Sequence, residues 1–463
     1  MGAGKTTLGE EVARRLRRRF VDLDHEIERQ AGVTIEELFA REGEAGFRTI
    51  EEATAASVLG ASEPAVIALG GGTVLSSQTR EAMRRQAFTV LLDVDLGVAW
   101  TRASEGGRPL AINETAFRAL YRTRLPIYEE AADAHARDAD GVVLAAAGID
   151  VRIGAIELLA ELVPGSGPVE IVADGNVAGI HGVTAQLALG DRDIASHDVP
   201  SGEPAKAIAV LERLWRALTI GRDGTIVGLG GGCTTDLAGF AAATYMRGVP
   251  WVAVPTTLVG QVDAAIGGKT AVDLPGGKNL IGAFHWPARV VIDPGTLETL
   301  PAAELKNGMA EAVKTGLLMD HPVWELPLAE LVRRCASFKA AVCLADPHDH
   351  GPRNMLNLGH TFGHALEAAA GYDLPHGQAV ALGMVAALRL SGNDSALAVV
   401  QRELDPRPVR VDRDAAWAAL ARDKKTIGGA PRLVLLERAG EPTWGNEVPA
   451  GDVRAALDSL ITG

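Results

Sequence analysis

A chain of 463 residues is too long for one ordinary core and predicts about two to four domains. Its 47% hydrophobic and 22% charged residues describe a folded chain, while a net charge of −14 and a pI near 5.3 argue against a general nucleic-acid binder, whose phosphate partner demands basic surface. No apolar run reaches bilayer length, and residues 1–20 lack the charged, apolar and cleavage regions of a signal peptide, so a cytoplasmic protein with no membrane partner is expected. Cys233, Cys335 and Cys343 are few and lack CxxC spacing, so neither a disulfide framework nor a structural zinc site follows from them.

In chain order, short apolar runs at Arg19 to Leu23, Ala65 to Leu69 and Phe88 to Leu92 alternate with charged helical stretches, the rhythm of a parallel α/β domain over residues 1–162. Val163-Pro-Gly-Ser-Gly-Pro168 collects breakers and predicts a linker at 163–168. A second α/β run over 169–300 offers strands at Val169 to Val172, Thr225 to Leu229, Trp251 to Val254 and Arg289 to Ile292. Residues 301–463 read as mainly helical. The fold class is therefore multidomain α/β.

Gly2-Ala-Gly-Lys-Thr-Thr7 before a helical run is the second half of a P-loop, in which N–H groups at a helix start surround phosphates. Lys5 would reach the β- and γ-phosphates, and Thr6 would offer a hydroxyl to Mg²⁺. Asp22-Leu-Asp24 closes a predicted strand, and its period of two puts both carboxylates on one side. For either Asp alone, a solvated helix cap is the plainer alternative. Phe47-Arg48, Gly70-Gly71-Gly72, Arg108-Pro-Leu110 and Arg124-x-x-x-Tyr128 follow.

In this order the motifs resemble shikimate kinase over roughly residues 1–140. The resemblance implies Gly2, Gly4, Lys5, Thr6 and Thr7 around ATP, with Asp22 and Thr6 holding Mg²⁺ and Arg108 in a lid. Asp24 would bind the ring hydroxyls of shikimate and act in catalysis, beside Arg48, Gly71, Gly72 and Arg124. Paired arginines suit a planar carboxylate. A full P-loop reads GxxxxGK[ST] after a strand, whereas Met1 falls inside this loop. Two expectations follow: a start assigned too late, or a degenerate kinase domain that serves as a scaffold.

Gly228-Leu-Gly-Gly-Gly232 follows a predicted strand and precedes a helical run, a loop that lets backbone approach a pyrophosphate. Then come Cys233-Thr-Thr-Asp236, Tyr245-Met-Arg247-Gly248, Pro255-Thr256-Thr257-Leu258, Gln261-Val-Asp263, Gly268-Lys269-Thr270 and Gly277-Lys278-Asn279. Cations that suit phosphate stand here among carboxylates and amides that suit hydroxyls. Further on, Asn357-Leu-Gly-His360-Thr-Phe-Gly-His364 and Pro375-His376 gather three histidines, and the i,i+4 pair shares one helix face. Glu311 offers the carboxylate of a three-ligand metal site. Spacing alone leaves open which histidine of the pair ligates.

From about residue 169 onward this series resembles 3-dehydroquinate synthase, a metal- and NAD-dependent cyclase with a Rossmann-like domain before a helical metal-binding domain. The resemblance implies Glu311, His360 and His376 as ligands of Zn²⁺ or Co²⁺. For NAD it implies Asp174, Asn176, Glu203, Lys206, Gly230, Gly231, Gly232, Asp236, Thr256, Thr257, Asp263, Lys269 and Lys278. Lys269, Asn279, Lys314, Arg353, Asn357 and His364 would be catalytic. Arg247, Lys339 and Lys424 or Lys425 would bind substrate. Asp273 stands where asparagine is common, Thr235 where glycine is, and Asp349 where glutamate is, with Pro347 interrupting an acidic stretch.

The implied reaction converts 3-deoxy-D-arabino-heptulosonate 7-phosphate to 3-dehydroquinate and phosphate, by transient oxidation with NAD, β-elimination, re-reduction and aldol closure. A homodimer through the synthase part is expected. Other NAD-dependent sugar-phosphate cyclases and a polyol dehydrogenase remain as alternatives, the latter opposed by the phosphate-suited Lys269, Lys278, Lys314 and Arg353.

Overall fold

The computed structural model describes residues 2–105, 113–421 and 432–462, and these divide into two compact units, Met1–Ala147 and Gly148–Gly463. Arg108, Lys424 and Lys425 lie outside the described residues.

In the first unit, the helix Lys5–Arg15 starts from Gly4, whose φ of 76° is left-handed and so suits a residue without Cβ. Strands β1 (Arg19–Asp22) and β2 (Ala65–Ala68) pair in parallel, as do β3 (Val90–Leu92) and β4 (Ala134–Ala136). These form two separate two-stranded sheets. A cavity of about 580 Å³ is lined by β2, β3 and the Lys5–Arg15 helix, through Val66, Leu91 and Val12 among others. Lys5, Gly70, Gly71 and Arg124 border it too.

The second unit carries a six-stranded sheet in the order β5-β12-β9-β8-β6-β7. Its strands are β5 (Ile149–Val151), β6 (Val169–Asp174), β7 (Ile194–Val199), β8 (Thr225–Gly230), β9 (Trp251–Pro255) and, after the β10–β11 hairpin (Lys269–Leu274, Gly277–Phe284), β12 (Arg289–Ile292). All pairings in the sheet are parallel. The apolar runs that predicted strands fit such a sheet, whose central strands are buried on both faces; every residue of β6, β8 and β9 is buried. The unit begins ahead of the breaker-rich Val163–Pro168 because β5 pairs with β12.

After Pro301 the chain is mainly helical, apart from the antiparallel pair β13 (Arg432–Leu435) and β14 (Thr443–Glu447). Two helices, His360–Ala369 and His376–Leu390, share a large buried cluster and approach very closely. A Cβ on Gly383 would sit 1.9 Å from the Gly359 carbonyl oxygen, and one on Gly363 would sit 3.0 Å from that of Ala379. Glycine at these positions allows backbone-to-backbone contact.

Gly383→Ala is therefore expected to cost about 1–3 kcal/mol or more, the usual range for overpacking, and to weaken metal binding by separating the two histidine-bearing helices. Gly179→Ala, where an added Cβ meets nothing within 4 Å, is the control. Denaturant melts combined with a cobalt titration check both.

Candidate metal and nucleotide sites

The close helix pair sets His360 at the start of one helix and His376 at the start of the other. Glu311 reaches them from the helix Ala302–Met319, where it is fully buried. Its Oε1 lies 3.4 Å from His360 Nε2 and 3.2 Å from His376 Nε2, while its Oε2 pairs with Lys314 Nζ. The two rings thus turn the same nitrogen toward one carboxylate oxygen.

Burial alone would raise the Glu311 carboxyl, yet the Lys314 ammonium and the two imidazoles hold it well below its ordinary value. Burial and the same ammonium push His360 down. For His376, burial is outweighed by Glu311 and Glu367, which raise it to about 10.

The donors fit a divalent ion. A tetrahedral zinc site with metal–nitrogen and metal–oxygen distances near 2.0–2.1 Å has donor–donor edges of ~3.3 Å, and the observed 3.2 and 3.4 Å match that spacing. His364 is exposed, its ring centroid 5.4 Å from that of His360.

One cation, Lys314, stands beside this carboxylate, and three others are held by their own partners in the same unit. Lys314 is fully buried, and Lys339 Nζ bonds Asp263 through both the carboxylate, at 2.8 Å, and the carbonyl, at 2.7 Å. Arg353 is buried and donates to the carbonyls of Gly267 and Pro347. Asp346 accepts from the backbone N–H groups of His350, Gly351 and Arg353 and so shapes that loop, a role that sequence reasoning missed. Lys269 pairs with Asp349 at 2.5 Å, and Asn357 donates to the Asn354 carbonyl. Arg247 is exposed in a turn, with φ 69°.

A second region forms at the carboxyl ends of β6 and β8, where the chain order across the sheet reverses, the usual place for a nucleotide crevice. The helix Gly232–Thr244 starts there from Gly231. Asp174 caps the turn that follows β6 by accepting from Asn176 and Val177 N–H groups, and Ser201 and Thr234 donate to the same carboxylate. Thr256 Oγ1 is buried without a hydrogen-bond partner among the described residues, next to Gly230, whose carbonyl accepts from Thr256 N–H. Thr257 Oγ1 accepts from Gly260.

Lys206 is buried, pairs with Asp236 at 2.6 Å and contacts the Asn279 side-chain oxygen; Asp236 outweighs burial and raises its pKa. Lys278 joins Glu203 at 3.2 Å and Glu367 at 3.7 Å. The charge that Asp273 adds has a place here. It sits where the β10–β11 register shifts and accepts from Asn279 N–H at 2.7 Å, holding Asn279 at a left-handed φ of 54°. Burial and a bond with Glu203 push Asp273 up to about 6.

In the first unit, Thr6 Oγ1 donates to Asp22 Oδ2 at 2.6 Å. The period-two expectation for Asp22 and Asp24 is corrected: the strand ends at Asp22, which caps the helix Leu23–Ala31 by accepting from Asp24 N–H. Asp24 stands in the first helical turn, its Oδ1 about Gly70. Arg124 and Tyr128 donate to the Gly71 carbonyl, and the Arg48 guanidinium covers Gly72 while pairing with Glu51. These residues therefore gather around the glycine triplet. Thr7 is exposed, and Gly2 has a left-handed φ of 69°.

Fold and site together define a nucleotide-type parallel sheet joined to a helical half with an acid–imidazole centre, behind a phosphate-loop unit. Residues 196–307 match the family model for the N-terminal part of 3-dehydroquinate synthase, 308–426 that for its C-terminal part, and 1–147 that for shikimate kinase. The chain is 39% identical to the 3-dehydroquinate synthase of Symbiobacterium thermophilum, over 68% of this chain and 96% of that one. For the synthase of Methylococcus capsulatus the figures are 41%, 66% and 93%. Among solved structures, a 2-epi-5-epi-valiolone synthase from Streptomyces hygroscopicus subsp. jinggangensis 5008, with NAD⁺ and Zn²⁺ bound, is 28% identical with a TM-score of 0.61, covering 67% of this chain and 96% of that one. The chain belongs to the 3-dehydroquinate synthase family and carries a shikimate kinase domain in front of the synthase. It is an enzyme of the shikimate pathway.

Asp273 gives a pH test of the nucleotide region. Its folded value of about 6 exceeds the ordinary 3.8, so its contribution to stability is complete below the ordinary value and is lost as pH rises through the folded one. Asp273→Asn keeps an oxygen for Asn279 N–H without the charge. Its melting temperature relative to the parent is expected to climb between about pH 4 and 7 and then level off; a pH-independent difference would refute the assignment.

Proposed function

We propose that Glu311, His360 and His376 hold a zinc or cobalt ion, and that NAD⁺ lies along the Gly230–Gly232 loop toward Asp174, Lys206 and Thr256. The observation that carries this reading is the convergence of both Nε2 atoms on Glu311 Oε1. When bound, the ion supplies Lewis-acid polarisation of a substrate hydroxyl and NAD⁺ a recyclable hydride acceptor.

The chain's own residues then bind and orient 3-deoxy-D-arabino-heptulosonate 7-phosphate. Lys269, at the start of β10, and Arg353 are cations suited to its phosphate, and Lys314 and Lys339 place positive charge beside Glu311 and Asp263. A positioned phosphate takes the proton itself, so the residues' work is orientation rather than base catalysis. His364 and Asn357 would contact the substrate's polar groups.

No helix among the described residues is long and apolar enough to cross a membrane, and the proposed setting of this biosynthetic enzyme is the cytoplasm. Exposed Ile180, Val183 and Leu187 form an apolar stripe that supports pairing of two synthase parts.

Phosphate release from the heptulosonate substrate is expected to vanish after dialysis against a chelator and to return with zinc or cobalt. Glu311→Gln should lower kcat by about 100-fold or more, since even outer partners of metal ligands are worth 10–100-fold. Net NADH accumulation from a simple polyol would instead favour a dehydrogenase.

For the first unit we propose phosphoryl transfer from ATP to shikimate, with Lys5 on the phosphates, Thr6 and Asp22 on Mg²⁺, and Asp24, Arg48 and Arg124 on shikimate. The scaffold reading is kept because β1–β2 and β3–β4 form separate sheets with a cavity lined by both. Shikimate-dependent ADP formation that disappears in Lys5→Ala is the expected result; no ADP above that variant's level would establish the scaffold.

A further inference from the structure

Glu367 was not among the residues singled out by motif. It lies on the helix that carries His360 and His364, seven residues after the first, and is 3% exposed. Its Oε1 stands 3.4 Å from His376 Nδ1, the ring nitrogen opposite the one that faces Glu311. The same oxygen is 3.7 Å from Lys278 Nζ. Tyr372, held by a bond from its N–H to the Glu367 carbonyl, places its ring 4.8 Å from that ammonium.

A buried carboxylate must be compensated, and His376 Nδ1 and Lys278 Nζ both face Glu367 Oε1. A histidine whose Nδ1–H is taken by a carboxylate keeps its Nε2 lone pair for a metal and cannot rotate freely.

We propose that Glu367 is a positioning residue: it fixes the tautomer and direction of the His376 ring and ties that ring to Lys278. The proposal rests on the metal reading above. His364, Glu367 and His376 also offer donor atoms within 4.8 Å of one another, so a second ion on these residues is the competing use of the same carboxylate.

The test is a cobalt titration of the full chain, stripped of metal, followed by visible absorption and by metal content after gel filtration. The parent is expected to bind one ion per chain, and Glu311→Ala to lose it. Glu367→Ala should bind that ion 10–100-fold more weakly with an altered cobalt spectrum. Glu367→Gln, whose amide oxygen still accepts from Nδ1–H, should recover most of the affinity at a melting temperature like that of the alanine variant. Parent-like cobalt affinity in Glu367→Ala, with binding still lost in Glu311→Ala, overturns the positioning role alone. Two ions in the parent and one in Glu367→Ala overturn it in favour of a second site. Absence of binding in the parent overturns the metal reading and this proposal together.

Discussion

The buried charge of Glu311 constrains the whole helical half. An isolated carboxylate removed from water costs several kcal/mol even after relaxation, so a fully buried one persists only where partners surround it. Lys314 one turn along the same helix answers one oxygen, and two imidazoles answer the other. Those imidazoles come from two further helices, which must approach within backbone contact to deliver them. Gly359, Gly363 and Gly383 permit that approach, and the apolar cluster around Phe362, Val380 and Met384 holds it. Packing and electrostatics therefore specify the same arrangement.

The nucleotide region is organised differently. There the sheet fixes loop ends, and short polar contacts fix side chains on them: Asp174 gathers two N–H groups and two hydroxyls, and Asp273 holds Asn279 in a conformation that few non-glycine residues adopt. Lys278 connects the two regions through Glu203 on one side and Glu367 on the other. A single ammonium between two carboxylates thus makes the crevice and the acid–imidazole centre mechanically continuous.

What was legible in the sequence follows from what periodicity and spacing encode. Apolar runs announce strands, and β1, β2, β3, β6, β8, β9 and β12 lie where those runs predict them, although only β6, β8 and β9 are buried throughout and β1, β2 and β3 are mostly half-buried. By contrast β7, with the pattern Ile194-Ala-Ser-His-Asp-Val199, is an edge strand with polar residues, and the β10–β11 hairpin is largely exposed along β11. β7 carries no apolar run, and the run Leu280-Ile-Gly-Ala-Phe284 of β11 lies partly exposed in a hairpin rather than inside the sheet. Spacing also misled at Asp22-Leu-Asp24, because a capping carboxylate looks the same as a strand-end residue until the next turn is known. Glu367 was invisible for a related reason: one glutamate in an alanine-rich helix has no signature, and its value comes from a ring contributed by another helix.

The cations of the two sites differ in what a ligand must displace. Arg353 and Arg124 are buried and held by main-chain carbonyls, neutral partners that orient a guanidinium while leaving its charge available. Lys269 and Arg48 are instead held by carboxylates, Asp349 and Glu51, so an incoming anion must share or exchange an existing ion pair. Ordering a long side chain costs about 0.5–1.5 kcal/mol on binding, and both kinds of partner meet that cost in advance. Under the proposed roles, only the carbonyl-held arginines would meet it without electrostatic competition, and Arg353 and Arg124 would then be the anchors around which the lysine and the second arginine adjust.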